Sequence, residues 1–411
     1  MHAARRDHGT GHSKQALEEL RVLDLTDEKG MFCCKLLADM GADVIKIERP
    51  GGDPTRELGP FARLSSVPNS SLFFWYHNTS KRSITLNLEM REGQDIFRKL
   101  SERADVIVET LPPNRMRQLN LSYEALRKLH PRMIMTSITN FGQTGPYKHH
   151  KSSGLVASAL GGQMYVCGEP CGPPLAPYGD QPYLAASIFA AIGTLLAVYS
   201  RHTTGKGQHV DISVHESVAA AIEHVNVRYL HDGAISKRQG SLTWNNAFRL
   251  FPCHDGHIVL SMNQQWDTLV EWLDSEGKAK DLTQEKWRDP QTRMEEREHI
   301  SQILQGWTQT HAAAELVEQG QLMHFPWATV DSIDKVAQNP QLAERGFFVK
   351  VPHAELGMSF EYPGAPYKLT RSPWRPRARA PLVGEHNEEI YLRELGLSKE
   401  EIADLASKGV V

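Results

Sequence analysis

Strand-like apolar runs alternate with longer amphipathic segments through the first third of the chain. The strand-like runs read RVLDL, DVIKIE, SITLNL, DVIVET and MIMTSIT. Between them lie MFCCKLLADMG, EGQDIFRKLSERA and SYEALRKLH, whose apolar residues recur with the helical period. Strands that alternate with helices predict a parallel sheet, because each helix carries the chain back across one face of the sheet. The sequence therefore predicts a doubly wound α/β domain.

A change of composition divides the rest of the chain. An apolar helix, YLAASIFAAIGTLLAVYSRH, then a strand in TTGKGQHVDISV and a long helix, HESVAAAIEHVNVRYL, continue the first domain. From about Ser241 to Ser332 the chain becomes richer in Trp, Gln and Glu, which indicates a separate and smaller α/β unit. The last stretch pairs a Pro/Arg-rich connector with a charged helix and a short helix. Ser398 is the predicted N-cap of that short helix, with Glu400 and Glu401 in its first turn.

The composition of the chain limits the partners that it is expected to bind. The chain has 411 residues, of which 40% are hydrophobic, so two domains with apolar cores are expected. Its formal net charge of -3 gives no electrostatic reason to bind nucleic acid or an anionic membrane. No apolar run is long enough to span a membrane, and the N-terminal residues lack the apolar core of a signal sequence. Small molecules or proteins are the expected partners.

The cysteines favour a reducing compartment. There are five of them, an odd number, and no two form a C-x-x-C pair. We therefore expect neither a disulfide framework nor a zinc site. We expect a cytoplasmic location. The five are Cys33, Cys34, Cys167, Cys171 and Cys253.

Familiar catalytic and nucleotide-binding motifs do not occur. The loop after the first strand reads TDEKG, which matches neither a dinucleotide-binding glycine motif nor a phosphate-binding loop. No G-x-S-x-G elbow of a serine hydrolase occurs. The nineteen histidines fall at spacings that fit no zinc motif. We therefore expect no NAD chemistry, no serine nucleophile and no metal site.

Three stretches together resemble the class III CoA-transferase family, of the formyl-CoA and carnitine CoA-transferase type. They are LADMGADVIKIERPGGDPTR, then FGQTGPY followed by GEPCGPP, and TGKGQHVDISVHESV. The C-terminal LVGEHNEEIYLRELGLSKEEIADLASKGVV is similar to the end of the family as well. The resemblance begins at about Gln15-Ala16 and is weakest between about residues 240 and 340.

The resemblance implies an architecture. Family members have a large Rossmann-like domain built from both ends of the chain, a smaller domain inserted late, and two subunits that interlock like links of a chain. Applied to this sequence, that plan gives a disordered tail at 1–15, a large domain at 16–225 and 335–411, and a small α/β domain at 226–334. An interlocked dimer is accordingly expected.

One position departs from the family in a way that matters chemically. In active members the turn resembles GEPDGPP, and its aspartate is the nucleophile; here that position is Cys171. The aspartate attacks an acyl-CoA thioester to form a mixed anhydride, and the released CoA thiolate then attacks the aspartyl carbonyl carbon. A cysteine has no such carbonyl carbon. Loss of a nucleophile of this kind commonly costs roughly 10⁴ to 10⁶ in rate, so the resemblance implies that this chain has no catalytic residue of its own.

Two other carboxylates are candidates to replace the missing aspartate. The racemase branch of the family uses an aspartate at the position that is Gly154 here, so that acid/base group is also missing. Glu169 and Asp180 lie near Cys171 in the sequence, and a self-sufficient CoA-transferase or CoA-thioester isomerase using one of them is the first alternative. Plain structural roles in a turn and at a helix start are favoured for both.

The positions that contact CoA in the family are partly retained. Arg49 and Leu86 match the family pattern, and the family's next lysine is replaced by Glu89. An arginine that follows the next strand in the family is replaced by glutamine, with Arg115 and Arg117 nearby. An acid in place of a lysine repels a phosphate by about 1 kcal/mol or more at an effective dielectric near 20. The expected CoA contacts are therefore Arg49, Leu86, Arg115 and Arg117, in a weakened site.

These departures lead to a prediction about function. The chain is expected to be the non-catalytic subunit of a heteromeric CoA-transferase, in which a paralogous subunit supplies the aspartate and binds coenzyme A as co-substrate. The expected acids are succinate and an aromatic dicarboxylate such as (R)-benzylsuccinate, as in the branch of the family with an aspartate-free subunit. Tyr165 and Trp244 are candidates for the substrate wall, although core packing is favoured for both. A non-enzymatic, CoA-thioester-binding homodimer is the second alternative.

Overall fold

The protein is described by a computed structural model that covers residues 14–63, 70–243, 248–261 and 265–411. These residues divide into two compact units. Unit 1 comprises the described residues up to Met164, together with Ala176–Ile235 and Gly346–Val411. Unit 2 comprises Tyr165–Leu175 and Ser236–Arg345. The chain therefore enters unit 2 twice.

The strands within the described residues form three sheets. Six of them make one parallel sheet in unit 1 with the order β3-β2-β1-β4-β5-β6, which confirms the predicted parallel α/β sheet. The second sheet has the order β10-β9-β8-β7, and β11 pairs with β12 in an antiparallel hairpin. The strands are β1 (Arg21–Leu25), β2 (Asp43–Glu48), β3 (Arg82–Thr85), β4 (Val106–Glu109), β5 (Ile134–Thr139), β6 (His209–Ser213), β7 (Leu242–Thr243), β8 (Phe248–Pro252), β9 (His257–Ser261), β10 (Ala328–Thr329), β11 (Phe348–His353) and β12 (Met358–Pro363).

Helices occur in both units. The α-helices are α1 (Met31–Asp39), α2 (Leu72–His77), α3 (Arg91–Ser101), α4 (Arg115–Gln118), α5 (Tyr123–Leu126), α6 (Gly154–Leu160), α7 (Gln163–Val166), α8 (Gln181–Thr204), α9 (Val214–Ala221), α10 (His224–Asp232), α11 (Trp266–Ser275), α12 (Pro290–Glu295), α13 (Arg297–Thr308), α14 (Ala313–Leu322), α15 (Ile333–Ala337), α16 (Pro340–Glu344) and α17 (Lys399–Ser407). A π-helical segment, Glu388–Glu394, precedes α17.

Both faces of the parallel sheet are covered by apolar side chains. Residues of α1 and α8 pack on one face, where Val22, Val106 and Ile134 are buried. Residues of α3 and the C-terminal segment pack on the other face, against Ile45 and Ile107. This two-sided burial explains why the strands of the sheet read as almost continuous apolar runs.

The main part of unit 2 lies about ten residues beyond the range expected from the family plan, and Tyr165–Leu175, expected in the large domain, also belongs to unit 2. The expected small domain was 226–334, whereas the second part of unit 2 is Ser236–Arg345. The difference arises because α10 stays with unit 1 and because α15 and α16 stay with unit 2. Residues 1–13 of the expected disordered tail at 1–15 lie outside the described residues. Gln15 is buried, and its Nε2 donates to the Asp39 carbonyl at 2.9 Å.

Two helix predictions near the ends of unit 1 had different outcomes. The single long helix expected in HESVAAAIEHVNVRYL is wrong, because the chain breaks it into α9 and α10 at Glu223, which has φ 50° and ψ -127°. A backbone in this region cannot continue a right-handed helix. The predicted cap of α17 is confirmed: Ser398 accepts from the Glu401 amide, and the Glu401 carboxylate accepts from the Ser398 amide.

Helix α8 combines a buried polar seam with an exposed apolar side. Among the described residues α8 has the length and mean hydropathy, 1.7, of a membrane span, so the expectation that no run is long enough was wrong. The same window is 44% buried, and core helices of this kind pass the same test. On its buried side the Thr194 hydroxyl lies 2.7 Å from the Thr136 hydroxyl, and Arg201 pairs with Asp105 at 3.0 Å. Its exposed apolar residues include Ile192, Leu196 and Tyr199. One side of α8 is therefore fixed to the sheet, and the other is exposed in the part of the chain that the structure describes.

One carboxylate at the surface of unit 2 contacts two tryptophans at the edge of the core. Glu276 accepts hydrogen bonds from the indole nitrogens of Trp272 and Trp307, both at 2.7 Å. His311 Nε2 lies 3.2 Å from the same side chain. Trp327 stacks on Trp272 with ring centroids 5.7 Å apart. Indole N–H groups need a partner when they are buried, so Glu276 fixes the packing of this tryptophan cluster.

Buried ion pairs lie beneath the parallel sheet's carboxyl edge. Asp24 and Lys81 are both fully buried, and their charged atoms lie 2.8 Å apart. Lys81 Nζ also donates to Asn78 Oδ1 at 2.8 Å. Burial alone would raise the pKa of Asp24, yet Lys81 and Lys46 hold that pKa below its usual value. Each charge is tolerated in the interior only because the other is present.

We expect Lys81→Met to lower the stability of unit 1 by about 3–5 kcal/mol, because it leaves the Asp24 carboxylate buried without its cation. The measurement is the midpoint of urea unfolding. The double variant Asp24→Asn with Lys81→Met should recover most of the loss, and Lys408→Met, which removes an exposed partner of Asp404, should leave the midpoint unchanged. A single Lys81→Met variant as stable as the wild type would contradict this account of the pair.

Candidate functional site

A cavity of about 550 Å³ lies in unit 1 at the carboxyl ends of the parallel strands. In the sheet, β1 lies between β2 and β4, so the connections that leave β1 and β4 run in opposite directions. Ligands of open α/β sheets bind in the crevice at such a point. The cavity is lined by apolar side chains, among them Leu25, Ile47, Leu86 and Leu111, and by six charged residues.

The structure brings three of the four predicted CoA-contacting residues to this cavity. Arg49, Leu86 and Arg115 line it. Arg117 is exposed on α4 and does not belong to the lining. Glu89, which the sequence placed beside the expected phosphate contacts, also lines the cavity, and its carboxylate forms an ion pair with Arg115. The residues that follow β2, β3 and β4 therefore converge on one cavity.

The floor of the cavity is a network of buried ions. Lys46 Nζ lies 3.0 Å from an Asp53 oxygen and donates to the Thr26 carbonyl at 2.8 Å. Glu48 accepts two hydrogen bonds from Arg56, both at 2.7 Å. Burial alone would lower the pKa of Lys46, but the surrounding carboxylates, Asp53 first among them, raise it above its usual value. The floor is therefore charged yet internally neutralised.

Glu109 is a buried acid next to the cavity-lining Thr110, and the sequence reasoning did not single it out. It ends β4, lies in register with Ser137 of β5, and is 2% exposed. One of its oxygens accepts from the Leu111 amide at 2.7 Å. Burial raises the pKa of Glu109 to about 7, and the nearby carboxylates of Asp27 and Asp211 act in the same direction. The signal available in the sequence was an acidic residue that closes a buried strand, in DVIVET.

A short hydrogen-bonded network continues from Glu109 across the sheet. Ser137 lies between Glu109 and Asp211 in the strand register, and its hydroxyl lies 2.9 Å from His209 Nε2. Thr139 is almost fully buried, and its hydroxyl has no hydrogen-bond partner within the described part of the chain. These side chains form a polar strip at the edge where β4, β5 and β6 end.

Cys171 lies in a tight turn of unit 2. The turn runs from Glu169 to Gly172, whose amide donates to the Glu169 carbonyl at 3.0 Å, with Pro170 in between. The proline fixes the first central residue of such a turn. Cys171 is exposed and forms no disulfide. The turn therefore presents the Cys171 side chain to solvent on a rigid backbone.

The turn is held in unit 2 by the segment that leads into β7. Arg238 donates from Nε to the Glu169 carbonyl and from Nη1 to the Tyr165 carbonyl, both at 3.2 Å. The Gly240 amide donates to the Gly168 carbonyl at 3.0 Å. Gly240 lies directly beside the Glu169 carboxylate: a Cβ built at position 240 would lie 2.4 Å from Glu169 Oε2, so the Glu169 side chain would have to move. Part of QGSLTWNNAFRL thus lies against the turn; Trp244 lies outside the described residues.

Gly154 and Asp180 meet in unit 1. Gly154 begins α6, and a Cβ added to it would lie 2.6 Å from Asp180 Oδ1. Asp180 precedes α8 but makes no capping hydrogen bond with its side chain. Tyr183 lies beside them, and burial, with the nearby carboxylates, raises its pKa to about 12. The Asp180 carboxylate therefore fills the space next to the position where the racemase branch has its aspartate.

Comparison with known proteins gives a consistent result. The sequence pattern described as CoA-transferase family III matches residues 17–387. The chain is 35% identical to the succinyl-CoA:(R)-benzylsuccinate CoA-transferase subunit BbsE of Thauera aromatica, over 97% of this chain and 98% of that protein. It is 34% identical to a succinyl-CoA:mesaconate CoA-transferase of Haloarcula hispanica, over 93% and 97%. It is 32% identical to a formyl-CoA:oxalate CoA-transferase of Streptomyces coelicolor, over 97% and 99%.

Solved structures with a similar fold are also known. A CAIB/BAIF family protein of Brucella suis superposes with a TM-score of 0.84 at 26% identity, over 92% of this chain and 99% of that one. Rv3272 of Mycobacterium tuberculosis superposes with a TM-score of 0.78 at 22% identity, over 92% and 99%. The second likeness supports the fold alone.

We expect Glu109→Gln to change how stability depends on pH. The folded protein holds the Glu109 proton up to a pKa of about 7, whereas the unfolded chain loses it near 4.5. Stability from this group is therefore present below about pH 4.5 and is lost as pH rises through 7, a loss on the order of 3 kcal/mol. The variant lacks this loss, so its stability relative to the wild type should rise between pH 5 and pH 8.

The measurement is the unfolding midpoint of both proteins at several pH values. Taking the difference between them cancels the contribution of the histidines, including His77, whose pKa burial lowers to about 4. Glu102→Gln, at an exposed position, is the matched control and should follow the wild type. Parallel pH profiles of the wild type and Glu109→Gln would show that Glu109 is ionised in the folded protein.

Proposed function

The chain belongs to CoA-transferase family III, and from this we propose that it is the non-catalytic subunit of a heteromeric CoA-transferase. The family uses CoA thioesters as co-substrates. The proposal rests on Cys171. This residue occupies the position at which active members of the family, whose turn resembles GEPDGPP, have their aspartate nucleophile. In this proposal the reaction takes place on the aspartate of a paralogous partner subunit in the cytoplasm.

The chemistry of the two side chains explains the division of labour. When an aspartate attacks an acyl-CoA, its oxygen bonds to the acyl carbon and the C–S bond breaks, which releases CoA thiolate. The thiolate then bonds to the aspartyl carbonyl carbon and the first acid leaves as carboxylate. The Cys171 sulfur can accept an acyl group, but it has no carbonyl carbon to which CoA can bond. The step in which CoA bonds to the enzyme therefore cannot occur at Cys171.

The names of the relatives support a choice of acids. The 35% identical relative from Thauera aromatica is named as a subunit of an enzyme that acts on succinyl-CoA and (R)-benzylsuccinate. We propose that this chain belongs to a complex that moves CoA from succinyl-CoA to an aromatic dicarboxylate of that kind. Tyr165, half exposed and tied by its carbonyl to Arg238, is a candidate for the substrate wall.

The exposed side of α8 supports the presence of a partner subunit. Ile188, Ile192, Leu195, Leu196 and Tyr199 are exposed on a helix whose other side packs on the sheet. A row of large apolar side chains on one surface marks a site of association. Insertion of α8 into a membrane is disfavoured, because one side of the helix packs on the parallel sheet and its Arg201 is buried there. A protein subunit is therefore the proposed cover.

A self-sufficient enzyme is the second candidate, and one observation favours it. The Asp180 carboxylate is exposed, makes no capping bond and lies against Gly154, next to the acid/base position of the racemase branch. Glu169 is also exposed, but its carboxylate rests over Gly240 at the base of the turn. A chain that uses Asp180 would turn over CoA thioesters without a partner.

We expect Cys171→Ala to leave the CoA exchange activity of the complex within about twofold of the wild type, because the exchanged groups bond to the partner's aspartate. The measurement is the rate of succinyl-CoA-dependent CoA transfer by the chain co-expressed with its paralogue from the native host. Changing the partner's aspartate to alanine should lower that rate by a factor of at least about 10⁴. Transfer by this chain purified without a partner would overturn the proposal.

We expect Leu196→Asp to prevent co-purification of the paralogous subunit, because it places a charge in the middle of the exposed apolar side of α8. Leu196 is 63% exposed, so the variant should fold. The matched control is Leu129→Asp, at a leucine that is 49% exposed away from α8. The measurement is the amount of partner retained by an affinity-tagged chain. Equal retention by both variants would place the interface elsewhere.

A further inference from the structure

The charges that line the cavity at the carboxyl edge of the sheet almost cancel. Four of the six charged lining residues are carboxylates, and each has a cationic partner. Arg49 differs from the rest: among the described residues it has no ion pair, and its Nε donates only to the Gly52 carbonyl, at 3.2 Å. The four pairs are Asp27 with Lys29, Glu48 with Arg56, Asp53 with Lys46, and Glu89 with Arg115.

The four pairs differ in how firmly they are held. Glu48 and Arg56 are buried and joined by two hydrogen bonds, and Lys46 is buried beneath Asp53. Glu89 and Arg115 have side chains that are 65% and 35% exposed. An ion pair this exposed is screened by water and is weak. The Glu89–Arg115 pair is therefore the pair that an incoming anion opens most easily.

We infer that Glu89 is a built-in competitor for the anionic groups of a ligand in this cavity. Arg49 supplies one free positive charge for a phosphate. A second anionic group reaches Arg115 only by displacing the Glu89 carboxylate. The ligand class is a nucleotide that carries more than one phosphate, and CoA is the member of that class to which the proposed function points.

The apolar part of the lining fits the same ligand class. Leu86 and Leu88 follow β3, Leu25 ends β1, and Pro50 follows β2, so apolar side chains from three strands face the cavity. Such a surface suits the flat face of a nucleobase or the methyl groups of a pantetheine arm. Glu89 therefore weakens CoA binding without preventing it. The cavity binds CoA less tightly than it would if both Arg49 and Arg115 were free.

The test is equilibrium binding of CoA to the full chain, in whatever assembly it purifies, by titration calorimetry. Glu89→Gln keeps the size of the side chain and removes its charge. We expect it to tighten CoA binding about tenfold, the change that loss of one opposing charge at a partly exposed site produces. In an Arg115→Gln background the same substitution should change affinity by less than about twofold, because no cation remains for Glu89 to occupy.

The controls separate competition at Arg115 from a general change of charge. Glu102→Gln removes an exposed carboxylate on the neighbouring helix end and should leave CoA affinity unchanged. Three results would each overturn the inference. They are equal CoA affinity of the wild type and Glu89→Gln, a tenfold gain that persists in the Arg115→Gln background, and no CoA binding to either protein. These results do not bear on which subunit carries the reaction, since CoA exchange by the Cys171→Ala complex tests that separately.

Discussion

The cost of placing charge in a protein interior shapes the site of this chain. Several acids and bases lie within the buried strands or close to their ends, and each must be neutralised where water is excluded. Asp24 with Lys81, Asp53 with Lys46 and Glu48 with Arg56 meet this requirement by pairing. Glu109 meets it by keeping its proton, as its raised pKa indicates. The result is a cavity with a rigid floor and little net charge.

The same requirement links the cavity to the proposed function. A residue that exchanges CoA between two acids must be exposed, and its attacking oxygen must belong to a carboxyl group whose carbon then accepts the CoA thiolate. On the turn of unit 2, Arg238 and Gly240 hold the backbone rigidly, but the side chain that it presents is Cys171. The turn thus has a fixed backbone, but the residue at position 171 has no carboxyl carbon to which CoA can bond. That combination is the expected property of a subunit whose partner performs the reaction.

Much of the fold could be predicted from the sequence, because it depends on local periodicity. The strands β1, β2, β4 and β5 fall within the predicted apolar runs, and the capping box at Ser398 was readable from two residues three apart. The break between α9 and α10 was not readable, because nothing in the side chain of Glu223 signals a positive φ. Residues 165–175 join unit 2 through Arg238, 73 residues from Tyr165, and no local pattern reports such a contact. The place of the cavity could be predicted from the strand ends. The ion pair between Glu89 and Arg115 could not, because it depends on where the two side chains point.

The central claim is that the covalent intermediates form on the partner and never on this chain. The most direct measurement is to mix the purified complex with succinyl-CoA, trap enzyme-bound thioesters and anhydrides with hydroxylamine, and locate the modified residue by peptide mass spectrometry. The account predicts modification of an aspartate of the partner subunit, with every peptide of this chain unmodified at its carboxylates. A hydroxamate on Asp180 or Glu169 of this chain would contradict it.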